Sequence, residues 1–158
     1  MQKKIEILYL SFFGVGLLPV APGTWGSLAT IPFLYLMNIW RVPPVLLAPF
    51  FIFVLFGTCY VTDSFQRKYK THDPGWIVID EVLGMFTAYF FVGHFFKTST
   101  IIYLFILFRL FDIYKIYPAT YFDRMTHGAG TILDDIVSGI YTGLVLLFLY
   151  SQFPEIFF

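Results

Sequence analysis

The chain has 158 residues, of which 58% are hydrophobic, 22% aromatic and 13% charged, with a formal net charge of zero and a mean hydropathy of +0.76. This length holds one domain, residues 1–158, and this hydropathy suits a bilayer better than water. The absent basic excess excludes a nucleic-acid partner bound through a positive surface, and the single cysteine, Cys59, excludes an internal disulfide and reads as a small core residue.

In chain order, Lys3-Lys4 followed by apolar residues to Leu18 imitates a signal peptide. Pro22 directly after Ala21, with no polar start beyond it, argues against cleavage. Residues 5–18 are short for a crossing and are interrupted by Gly14 and Gly16, so a re-entrant or interfacial segment is expected. Five longer apolar runs have the length of membrane-spanning helices: residues 24–40, 43–61, 76–96, 98–117 and 136–153. The expected fold is therefore all-α, a polytopic membrane helix bundle of about five spanning helices plus the short N-terminal segment. With Lys3 and Lys4 inside, the loops carrying Arg67, Lys68, Lys70 and Arg124 also fall on the cytoplasmic side, and Arg41 and Lys97 fall outside. That topology gathers three polar segments at the cytoplasmic surface, residues 14–27, 72–81 and 112–135.

Acidic residues in or beside these apolar stretches are Asp63, Asp80, Glu81, Asp112, Asp123, Asp134 and Asp135. A carboxylate at membrane depth costs roughly 2.5–3.5 kcal/mol, so such a set points to a functional site. Oxygen ligands with few histidines suit magnesium, calcium or manganese. In the first polar segment, Pro19, Pro22, Gly23 and Gly26 break the preceding helix and let backbone approach a ligand, while Thr24 or Ser27 can cap the helix that follows. Free N–H groups there would bind an anion, and a plain Pro-Gly turn is the alternative. In the second, Asp80 and Glu81 are read as one turn inside an apolar helix, where compensation of a helix dipole explains them poorly. In the third, Arg109, Asp112 and Lys115 recur every three residues and share roughly one helical face. They could bind phosphate and hold a metal, or form a salt-bridge ladder. Asp134 and Asp135 are read as opening the last helix, one of them as an N-cap, with a cation relieving their mutual repulsion. His127 could transfer a proton, and His94 reads as a polar interface residue; no Cys/His pattern suggests zinc.

Gly16-Leu17-Leu18-Pro19-Val20-Ala21-Pro22-Gly23-Thr24-Trp25-Gly26-Ser27, Ile77-Val78-Ile79-Asp80-Glu81-Val82-Leu83-Gly84, Phe108-Arg109-Leu110-Phe111-Asp112-Ile113-Tyr114-Lys115, Asp123-Arg124 and Leu133-Asp134-Asp135-Ile136-Val137-Ser138-Gly139 together resemble the phosphatidylglycerophosphatase A family, in its motif order and over nearly the whole chain. The resemblance implies a magnesium-dependent phosphatase of the bacterial inner membrane that converts phosphatidylglycerophosphate into phosphatidylglycerol. Two departures stand out. Lys115-Ile116-Tyr117-Pro118 replaces the family's Lys-Pro-x-Pro, which is expected to straighten the end of that helix. His127-Gly128-Ala129-Gly130 replaces a Gly-Gly-x-Gly-like loop.

With the resemblance, Asp80, Glu81, Asp134 and Asp135 are expected to hold Mg2+, with Asp112 or Asp123 as a further ligand or general base. Arg109, Lys115 and Arg124 would neutralise phosphate oxygens, joined by Gly23, Thr24 and Ser27 on the substrate side. Trp25, Trp76, Tyr114, Tyr117 and Tyr121 would form an interfacial belt around a membrane phospholipid substrate. Attack by water and by an aspartate both fit, and the lack of an Asp-x-Asp-x-Thr nucleophile motif favours water. A metal-dependent phosphatidyltransferase and a small ion or proton transporter are the competing functions, the latter requiring acids spread through the membrane depth.

Overall fold

The structure, a computed structural model, describes residues 2–71, 73–93 and 97–157. Its described elements are all helical. α1 (Gln2–Leu10) is followed by a 3-10 turn (Val15–Leu17), α2 (Pro22–Ile39), α3 (Pro44–Tyr69), α4 (Ile79–Val92), α5 (Thr98–Tyr114), α6 (Ala119–Asp123), α7 (Gly128–Gln152) and the short α8 (Pro154–Phe157). Expected residues His72 and His94 lie outside the described residues, as does the end of the 76–96 run.

Among the described residues, α3 and α7 are the two helices long and apolar enough to cross a membrane. α2 has 18 residues, α5 17 and α4 14, or about 27, 26 and 21 Å at 1.5 Å per residue. α1, with nine residues, is about 14 Å long, well below the roughly 30 Å of a hydrocarbon core, so it cannot be a complete crossing.

The interhelical contacts fix the directions of the bundle. A Cβ on Gly84 would meet the Asp135 carbonyl, one on Gly139 would meet Thr87, and one on Gly143 would meet Phe91. Successive turns of α4 thus meet successive turns of α7 in the same order, so these two helices run parallel. Pro44 packs at Gly93 while Asp63 packs at Gly128, which makes α3 antiparallel to both. Phe108 lies at Gly84, near the end of α5, and Gly23 lies at Glu81, near the start of α2. One end of the bundle therefore collects the starts of α2, α4 and α7 and the ends of α3 and α5.

Two apolar clusters fill the interior. Leu34, Met85, Ala88, Tyr89, Val92, Leu104, Phe108 and Leu146 form the first, around α4. The second joins Leu10, Phe65, Ile77, Val82, Leu83 and Ile132 nearer the acidic end, with Cys59 packed partly buried against it. Val45, Leu46, Phe50, Phe53, Phe56 and Tyr60 of α3 are exposed. An apolar face of this extent is disfavoured in water and is satisfied by hydrocarbon.

Several boundaries differ from the sequence reading. α7 starts at Gly128, so Asp134 and Asp135 sit about two turns inside it and cap nothing. α4 starts at Ile79, after Val78 N–H donates to Leu10 O at 3.0 Å, which puts Asp80 and Glu81 in its first turn. α3 continues to Tyr69, helped by the i,i+4 pair of Asp63 and Arg67 at 2.9 Å. α5 stops at Tyr114 instead of running straight on, because Lys115 turns left-handed at φ 35°. Pro22 occupies the start of α2 behind Ala21, and neither Thr24 nor Ser27 caps it.

Candidate active site

The seam between α4 and α7 is built from backbone. Gly84 and Gly139 bring the helices so close that a methyl group on either would meet the other helix's main chain. Each glycine follows a carboxylate by four residues, Asp80 before Gly84 and Asp135 before Gly139. Residues four apart share a helix face, so closing the seam draws both carboxylates together one turn below it. Glu81 completes the group, and oxygens of Asp80, Glu81 and Asp135 lie within 4.8 Å of one another. Asp80 and Asp135 are 8% and 4% exposed. Asp80 Oδ1 also accepts the Glu81 backbone N–H at 3.0 Å.

α5 supplies the first cation. Arg109 Nη1 lies 2.6 Å from Asp112 Oδ2 and 3.9 Å from Glu81 Oε1. Gly23 makes room for this contact, since a Cβ there would collide with Glu81 and lie 3.3 Å from Arg109 Nη1. Thr24, half-buried, follows it in the first turn of α2, whereas the buried Ser27 spends its hydroxyl on Gly23 O at 3.0 Å.

A second cation stands beside the first network. Because the chain reverses at Lys115, its ammonium meets Asp134 Oδ2 at 2.5 Å and also pairs with Asp123. Burial alone would lower the Lys115 pKa, but the hydrogen bonds to Asp123 and Asp134 override it and raise the value, keeping the ammonium charged. The face expected to carry Arg109, Asp112 and Lys115 is thus divided: Arg109 and Asp112 pair on the helix, and Lys115 leaves it. Asp134 is directed to Lys115, apart from the Asp80, Glu81 and Asp135 group. Arg124 is exposed at the end of α6, and His127 is exposed with Nδ1 3.9 Å from Asp63.

Six carboxylates, Asp80, Glu81, Asp112, Asp123, Asp134 and Asp135, thus share Arg109 and Lys115. Glu81 Oε2 and Asp134 Oδ1 are buried without a hydrogen-bond partner. Buried unpaired oxygens and a negative excess fit a hard divalent cation, which takes oxygen ligands. The acids gather at one end of the bundle, unlike the spread through depth that a transport path would need. Of the aromatic residues read as a belt, Trp25, Tyr114, Tyr117 and Tyr121 are exposed at this end, while Trp76 packs edge-on to Phe65 at 5.3 Å.

The family model for phosphatidylglycerophosphatase A matches residues 8–150. The chain belongs to this family. It is 35% identical to the phosphatidylglycerophosphatase A of Escherichia coli (strain K12), over 90% of this chain and 81% of the relative. It is 38% identical to the Haemophilus influenzae phosphatidylglycerophosphatase A, over 92% of this chain and 88% of that one. No solved structure matches significantly. Membership in the phosphatidylglycerophosphatase A family makes the chain a phosphatase of phospholipid metabolism.

The sequence reading gives no role to the seam glycines Gly84 and Gly139 or to Gln66 of α3, and counts Asp63 among the acids without a partner. The Asp-x-x-x-Gly spacing shared by α4 and α7 was the available signal for the glycines. Nothing local marks Gln66 or reveals the partner of Asp63, because their partners, Thr131 and Gly128, lie 65 residues away.

Proposed function

We propose that the protein hydrolyses the terminal phosphate monoester of phosphatidylglycerophosphate, giving phosphatidylglycerol and phosphate, with Mg2+ as cofactor and with its acidic end at the cytoplasmic face of the inner membrane. The convergence of Asp80, Glu81 and Asp135 beside Arg109, in a chain of this family, carries the reading. Lys3, Lys4, Arg67, Lys68, Lys70, Lys115 and Arg124 lie toward that same end and Arg41 and Lys97 toward the other, which supports a cytoplasmic acidic end and a multi-pass arrangement in which α2, α3, α4, α5 and α7 all cross.

In this mechanism Asp80, Glu81 and Asp135 would hold Mg2+, which when bound would supply positive charge against the phosphate oxygens. Arg109, kept in place by Asp112, neutralises a further oxygen, and Gly23 and Thr24 present α2 backbone beside it. Lys115 keeps Asp123 and Asp134 oriented, and Asp112 or Asp123 takes the proton of the attacking water and returns it to the glycerol oxygen that leaves as the alcohol of phosphatidylglycerol. The acyl chains stay in the bilayer, so the headgroup alone enters the polar end.

Release of inorganic phosphate from purified phosphatidylglycerophosphate in micelles, with Mg2+ and then with a chelator, tests the reaction. A single turnover in heavy-oxygen water should place label in the phosphate without a trapped phosphoenzyme. A borohydride-reducible aspartyl adduct would overturn the choice of water as nucleophile.

A further inference from the structure

We propose that Asp63 and Gln66 of α3 are positioning residues that set the axial placement of α7, and through it the position of Asp135 relative to Asp80 and Glu81. The inference rests on the metal reading given above. The residue before α7, His127, gives no side-chain cap to the helix. Asp63 of α3 takes that role from outside, its Oδ1 accepting the Gly128 N–H at 3.3 Å, while Arg67 Nε holds the other carboxylate oxygen at 2.9 Å. Three residues further along each of these antiparallel helices, the buried Gln66 Nε2 reaches back across the crossing and donates to the buried Thr131 Oγ1 at 3.1 Å. The two polar attachments lean in opposite axial directions across the interface and together resist sliding and rotation, which a smooth apolar interface does not. Gly128 permits this close approach, because a Cβ there would collide with Thr62 and Asp63 backbone. Asp134 and Asp135 follow about one turn after Thr131 on the same rigid helix. Nearly all the rest of α3 within its apolar stretch is unburied, so its polar end is where it engages α7.

The test uses the full-length, detergent-solubilised chain and Mn2+ as the probe, with binding read by electron paramagnetic resonance. Groups that orient metal ligands from behind typically change affinity by about 10–100-fold. Asp63→Ala should weaken Mn2+ binding by about tenfold, with turnover recovered at saturating metal. Asp63→Asn keeps an oxygen acceptor for the Gly128 N–H and should bind close to wild type. Thr131→Val removes the second attachment with little change of volume and should weaken binding in the same direction by a smaller factor, and it decides the question if Asp63→Ala does not fold. Wild-type affinity in both Asp63→Ala and Thr131→Val would overturn the inference, as would Asp63→Asn being as weak as Asp63→Ala. Failure of the wild-type chain to bind Mn2+ would instead overturn the metal reading beneath it.

Discussion

Replacing Gly84 by alanine tests whether the backbone seam sets the catalytic geometry. The new Cβ would lie 2.7 Å from the Asp135 carbonyl oxygen and 2.5 Å from Phe108 Cε2, where ordinary contact begins at 3.4 Å. Phe108 is fully buried and has little room to yield, so α7 must move by about 0.7 Å at the residue that carries the carboxylate. A misplacement of about 1 Å costs on the order of a hundredfold in rate, so kcat should fall about thirtyfold, with a stability loss of about 1–3 kcal/mol from overpacking. Gly143→Ala is the matched control. Its Cβ would crowd Phe91 Cβ at 2.8 Å on the same seam, about 12 Å farther along α7 from Asp135. It should lose comparable stability and keep its turnover. Phosphate release at saturating Mg2+, read beside thermal melting in the same detergent, makes the comparison. Wild-type turnover in Gly84→Ala, or equal loss in Gly143→Ala, would refute the reasoning.

Asp80→Asn and Asp135→Asn should each abolish phosphate release while retaining the wild-type melting temperature within a few degrees, and retained activity in both would remove them from the site. Arg109→Ala should lower kcat/KM about a hundredfold, and Arg109→Lys should restore little of it, because an ammonium lacks the planar fork of donors with which a guanidinium held by Asp112 can still present further N–H groups to a phosphate. Lys115→Ala leaves Asp123 and the 5% exposed side chain of Asp134 unpaired. The expected destabilisation is on the order of 2 kcal/mol, below the 3–5 kcal/mol of a fully buried pair because Lys115 and Asp123 retain solvent, and it is read by chemical or thermal denaturation.

The helical class and the grouping of distant acids were legible because both depend on local composition: long apolar runs, and carboxylates where hydrocarbon is expected. The helix ends were not. His127-Gly128-Ala129-Gly130 has the composition of a loop, yet it starts α7 because Asp63, remote in sequence, accepts the first N–H. Lys115 continues the apparent three-residue period of Arg109 and Asp112, yet its backbone reverses so that the ammonium meets Asp123 and Asp134. Asp80 and Glu81 read as lying deeper in their helix because the apolar Trp76-Ile77-Val78 precedes them, but Val78 is committed to Leu10 and helix begins only after it. In each case a contact between distant segments overrode what the neighbouring residues suggested.

The parallel course of α4 and α7 has an electrostatic consequence. Adjacent antiparallel helices largely cancel each other's axial fields, but two that lie side by side pointing the same way add theirs, leaving a positive potential where their first turns open. α2 begins at that same end and reinforces it, while the last turns of α3 and α5, which finish there, offset part of it. Asp80 and Glu81, in the first turn of α4, sit inside that field and are eased by it, whereas Asp135, two turns into α7, lies beyond its reach.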